Sequence, residues 1–181
     1  MNQPSLYECV MGDAYARLAT EVQRFHRLAG RHLLHGVVQT DAPANWLAAL
    51  LARGLGSPLR ASSGAIRFEL ESGPVVETWT RHFPGRTMSS RLRLDAGRLV
   101  ERLGAARLAF TLAEIDGRLV MRLASLRFLG IPCPAWLRPR IVAEETGAGD
   151  QLCFRVEAHV PGVGRVVGYR GHLVLPDERA A

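Results

Sequence analysis

The amino-acid sequence predicts an α+β protein, mostly antiparallel β: a curved sheet or incomplete β-barrel of about nine strands with two N-terminal helices. Three observations predict it. Apolar residues recur at helical spacing only in the first third of the chain. From Gly64 onward the period changes to two and stays there. Short turn signals separate these alternating runs, which leaves no room for the crossover helices of a parallel sheet.

The first helix is expected over residues 13–29. In "DAYARLATEVQRFHRL", Tyr15, Leu18, Val22, Phe25 and Leu28 fall at gaps of three and four, with Asp13 as N-cap and Gly30 as the stop. The second is expected over 45–53, after the entry signal "DAP", with Trp46, Leu47, Leu50 and Leu51 as its stripe and Gly54 at its end. Between them "LLHGVVQTD" is short and β-branched and reads as a strand.

The alternating runs follow in order. "AIRFELES" sets Ile66, Phe68 and Leu70 against Arg67, Glu69 and Glu71. "ARLAFTLAEIDGRLVMRL" is a hairpin turning at Asp116-Gly117, a pair that tolerates positive φ at both central positions. "LDAGRLVERL" predicts another hairpin around Ala96-Gly97, and "QLCFRVEAHV" and "GRVVGYRGHLVL" supply the last strands. Leu119, Met121 and Leu123 are out of phase with Leu126 and Phe128, so an extra residue near Ala124-Ser125, a β-bulge, is expected. The prolines of "FLGIPCPAWLRPR" exclude a central strand and predict a crossover loop with one helical turn at Ala135 to Leu137. Gly164, Gly168 and Gly171, in or beside the final strand, predict sharp curvature or close backbone approach.

The 181 residues read as one domain over 6–176, with its β-rich part at 64–175. At 48% hydrophobic and 22% charged, the composition is that of an ordinary globular chain. No apolar run has the length of a membrane span. The N-terminus lacks a basic segment followed by an apolar one, and three cysteines sit at no metal or disulfide spacing, so a cytoplasmic setting is expected. All 23 basic residues are arginines, giving a net charge of +6, but they are dispersed rather than blocked, so no specific nucleic-acid binding is expected.

No motif assigns a catalytic nucleophile or a dinucleotide loop, and no cofactor is expected. His32 and His35, three apart on a strand, point to opposite faces; His82, His159 and His172 lie on separate strands, so no metal site is expected. The most informative stretch is "VVETWTRHFPGRTMSSRLRL", a hairpin turning at Pro84-Gly85. Glu77, Trp79, Arg81 and Phe83 share one face there, with Met88 across the turn. Two readings stay open: an ion pair beside a core tryptophan, or the wall of a cavity that covers an apolar or amphipathic molecule, with or without an anionic group. On the second reading the ligand contacts are Glu77, Trp79, Arg81, Phe83, Met88, Trp136 and Tyr169. A different class of function, an enzyme using Glu77 or His82 beside Arg81, is the alternative.

Several phrases combine: "LYECVMGDAYARLATEVQRFHRLAGRH", "WTRHFPGRTMSSR", "LVERLG", "FLGIPCPAWLRPRI" and "VPGVGRVVGYRGHL". From Leu6 to about Pro176 the chain resembles an uncharacterised bacterial family, a domain of unknown function found alone or joined behind a saccharopine-dehydrogenase-like oxidoreductase domain. The resemblance implies a small accessory domain, cytoplasmic or membrane-associated, without the fused dehydrogenase half. It also implies a third function, docking on a partner oxidoreductase, and it carries over no activity and no catalytic residues.

Overall fold

Inward apolar and outward charged residues alternate along ten strands that close on one another. The computed structural model describes residues 4–176. Helix α1 (Leu6–Met11), a 3-10 turn (Gly12–Arg17) and α2 (Thr20–His26) precede β1 (Gly30–Thr40). Helix α3 (Trp46–Gly54) then leads to β2 (Ser62–Ser72), β3 (Val76–Phe83), β4 (Arg86–Asp95) and β5 (Arg98–Leu103). Next come β6 (Ala106–Ile115), β7 (Arg118–Phe128), the two-residue β8 (Ile131–Pro132), β9 (Arg140–Ala148), β10 (Gln151–Val160) and β11 (Gly164–Val174).

The strand order is β6-β5-β4-β3-β2-β1-β11-β10-β9-β7, and β6 also pairs with β7, so the sheet is a closed antiparallel barrel. This corrects the expectation of an incomplete barrel of nine strands. The strand absent from the sequence reading is β9, where adjacent Glu144 and Glu145 interrupt the alternation that marks a strand. Glu145 points inward and is buried, which a period-two reading assigns to an apolar residue. Closure itself depends on β1 meeting β11, a pairing between distant parts of the chain.

The turns follow their sequence signals. Asp116 and Gly117 have φ of 52° and 78°, and Ala96 and Gly97 have 49° and 72°. The bulge falls on Ala124: Phe110 pairs with Leu123 and Ala109 with Ser125. The turn at Ala135–Leu137 is a 3-10 helix.

The helix expected over 13–29 is divided. Leu18 and Ala19 are extended, because the Ala19 N–H donates to Gly117 O at 2.7 Å and ties the chain to the β6–β7 turn. The apolar spacing nevertheless marks the buried residues, since Tyr15, Leu18, Val22 and Phe25 all enter the core. Helix α1, absent from the sequence reading, is held by a capping box between Ser5 and Glu8. Both helices sit at one end of the barrel, α1 against β4, β5 and β6, α2 against β9 and β10.

At the other end, α3 starts at Asn45, whose Oδ1 accepts from Ala48 N and whose Nδ2 donates to Val163 O. Strand β9 pairs with β7 only from Leu119 to Met121. Beyond that point the two strands part, and the proline-rich segment 129–139 fills the gap, with Cys133 N donating to Leu126 O. No helix among the described residues is long and apolar enough to cross a membrane.

Candidate functional site

The barrel is not packed solid. A cavity of about 440 Å³ lies inside it, walled by Leu108, Phe110, Met121, Val156 and Val167, with Leu51 of α3, Leu55 just after it and Leu137 of the proline-rich segment at its mouth. Such a volume is in the range that holds a small organic molecule. A second bulge helps to shape the wall. Ala158 pairs with Val167 and His159 with Arg165, so Val166 is the extra residue and both valines are buried against the cavity.

Charged or polar residues line the cavity at few points: Arg81, Glu101, Glu144, Glu145, Tyr169 and Cys133. Arg81 is 7% exposed. Its Nη1 donates to Ser90 Oγ at 3.2 Å and its Nη2 lies 3.9 Å from Glu101 Oε1. The guanidinium stands 5.0 Å from the Trp79 ring centroid and 5.7 Å from that of Phe68, so its charge is also held by aromatic faces.

Toward the helix-covered end lies a second buried group of polar side chains. His26 Nε2 donates to Glu145 Oε2 at 2.7 Å, and its ring stacks on Tyr7 with centroids 3.6 Å apart. Trp79 Nε1 donates to Glu77 Oε2 at 3.1 Å. Burial pushes the Glu77 carboxyl above the ordinary carboxylate range, opposed by the charge of His26 and by the Trp79 hydrogen bond. Burial likewise holds the Tyr7 and Tyr169 hydroxyls protonated, above the usual phenol value. His26 and Glu77 are reached from the far side by a cleft that also touches Ser5, Glu8 and Ser72. The cluster therefore separates the cavity from that cleft.

Of the residues singled out in the sequence, Trp79, Arg81, Met88 and Tyr169 line the cavity. Glu77 is buried on the same strand face but lies with His26 beyond Trp79. Phe83 is buried and packs edge-on against Tyr169 at 5.2 Å without lining the space. Trp136 is 77% exposed and stands outside, because the short 3-10 turn points it away from the barrel. His82 faces the outer wall and bonds Glu69 at 2.9 Å, so it does not meet Glu77 and Arg81. Among the described residues no cluster of three or more His, Cys, Asp or Glu could hold a metal ion.

Sequence reasoning did not place Tyr7, His26, Glu101 or Glu145 among the site residues. A signal existed for His26, which is four residues after Val22 and so shares its buried helical face. None existed for its partner, which lies 119 residues away.

No curated protein matches the chain. Among solved structures it is similar to the crystal structure of Rv2717c from M. tuberculosis, at 13% identity and a TM-score of 0.50, over 88% of this chain and 99% of that one. At that identity the likeness is one of fold. The family model described as a domain of unknown function, DUF4166, matches residues 18–173, and the chain belongs to that family.

Proposed function

We propose that the protein binds a small, largely apolar molecule inside the barrel, with the molecule's polar end against Arg81 and Glu101. The observation that carries this reading is an apolar cavity of about 440 Å³ into which a buried guanidinium and carboxylate project. The polar end holds one guanidinium with two carboxylates, Glu101 and Glu145, so a free anion would meet repulsion as well as attraction. A head group that both donates and accepts, such as a hydroxyl or an amide, suits it better than the anionic group expected from Arg81 alone. Free Cys9, Cys133 and Cys153 support a reducing, cytoplasmic setting.

The test is titration with the neutral apolar fluorophore N-phenyl-1-naphthylamine and with the anionic anilinonaphthalene sulfonate. The neutral probe is expected to saturate at one per chain and to bind more tightly. Leu126→Trp, which places an indole in the cavity, is expected to suppress the signal while the fold is retained. Equal binding by the filled variant would reject the reading.

A further inference from the structure

The mouth of the cavity is ringed by side chains that a globular protein ordinarily buries. Helix α3, "WLAALLARG", is apolar apart from Arg53 in its last turn. Ala48 and Ala52 pack inward, Leu51 and Leu55 look into the cavity, and Trp46 and Leu50 are 79% and 59% exposed. Across the opening, segment 129–139 exposes Leu129 (72%), Ile131 (70%) and Trp136 (77%). The two lips adjoin: a Cβ on Gly104 would touch the carbonyl of Gly54 at the end of α3, and Leu129 N donates to Ala105 O in the same β5–β6 turn. Two of the protein's three tryptophans are thus in water, side by side with the cavity entrance. Isolated exposed apolar residues need no explanation, but a patch continuous around an opening does.

Charge is arranged to match. The connections at this end, residues 41–61, 84–85, 104–105, 129–139 and 161–163, contain one carboxylate, Asp41, which lies 3.9 Å from Arg165. Arg53, Arg127 and Arg140 stand exposed on or beside the two lips, with no carboxylate at ion-pair distance among the described residues. The opposite, helix-covered end mixes both signs, with Glu8, Asp13, Glu21, Asp116 and Asp150 beside Arg17, Arg24 and Arg27. The greasy rim therefore stands at the end of the barrel that is poorer in carboxylates.

We propose that this rim docks on an anionic phospholipid bilayer, with Trp46, Leu50, Leu129, Ile131 and Trp136 entering the headgroup region and the arginines meeting lipid phosphates. Tryptophan and arginine beside exposed leucines form the composition that settles at a membrane interface. A second copy of this chain fits worse, because a symmetric contact would press the arginines of one rim against those of the other. A fluid surface also accommodates two separate projecting lips without needing a matching shape. The docking stands independently of whether the cavity holds a molecule.

Cosedimentation with phosphatidylcholine–phosphatidylglycerol vesicles, and with phosphatidylcholine alone, tests it. The chain is expected to pellet with the anionic vesicles, with a blue shift in tryptophan emission, and to bind the neutral ones weakly. Trp46→Ser combined with Trp136→Ser should weaken binding about tenfold or more, and Arg127→Glu with Arg140→Glu should abolish the preference for anionic lipid. Val75→Ser, at the opposite end and 69% exposed, is the control expected to change nothing. Absence of cosedimentation, equal binding by the tryptophan variant, or sedimentation equilibrium showing that the same tryptophans hold a dimer together would overturn the proposal.

Discussion

His26 and Glu145 meet inside the protein at 2.7 Å, although 119 residues separate them, and the imidazole is stacked on Tyr7. The contact ties α2 to β9 and so fastens the helical cap to the barrel. Removing one partner strands the other in a buried site. His26→Ala is expected to cost about 3 kcal/mol, whereas Glu145→Gln, which keeps an acceptor, should cost about 1 kcal/mol. Urea denaturation midpoints at constant slope measure both.

Glu77 gives a pH signature of opposite sign to the usual carboxylate. Its folded pKa is raised by burial, so the native state holds the proton more tightly than the unfolded chain. Its contribution to stability is then lost as pH rises from the ordinary carboxylate pKa, about 4.3, through the raised folded value. Glu77→Gln, which still accepts from Trp79, should be more stable than the parent at pH 8. The gain is about 1.4 kcal/mol per unit by which the pKa is raised. At pH 3.5, where both forms are neutral, the difference should vanish. Paired denaturation curves at about these two pH values decide it.

Arg81 and Glu101 should behave as a pair. Arg81→Met leaves Glu101 facing the cavity without its cation and is expected to lower stability by about 2–3 kcal/mol. Adding Glu101→Leu should restore most of that loss, since an apolar pair of similar volume needs no charge compensation. A double-mutant cycle by thermal or urea denaturation checks the recovery.

Gly171 admits the close approach of β1 and β11. A Cβ there would collide with the Val37 carbonyl oxygen and lie 3.0 Å from Phe154 Cζ. Gly171→Ala is therefore expected to destabilise the barrel by about 2 kcal/mol or more. Calorimetry or urea unfolding would register the change, and Gly162→Ala, whose Cβ meets nothing within 4 Å but whose φ is positive, should cost about 1 kcal/mol.

Local chemistry was legible in the sequence and long-range geometry was not. Asp116-Gly117 and Ala96-Gly97 announced their hairpins because each turn is decided by the φ that its own residues tolerate. The Ala124 bulge could be read because period two leaves a residue over between Leu123 and Leu126. Alternation likewise set Glu77, Trp79, Arg81 and Phe83 on one face of β3, while two readings of that face stayed open. Strand β9 and the His26–Glu145 contact escaped because a buried carboxylate looks like a solvent-facing one until its partner is known. Trp136 misled for the converse reason, since an aromatic ring beside prolines carries no sign of which way it points.

Since the seam between β1 and β11 joins the first strand to the last, the hollow has no existence while the polypeptide is only partly made. A nascent chain that has emerged as far as Val160 offers two open edges and a wet, apolar inner surface, and must wait for the final strand before either is hidden. During synthesis the seam can therefore close only after the final strand has emerged, and any molecule captured during that interval would be enclosed rather than admitted through the mouth.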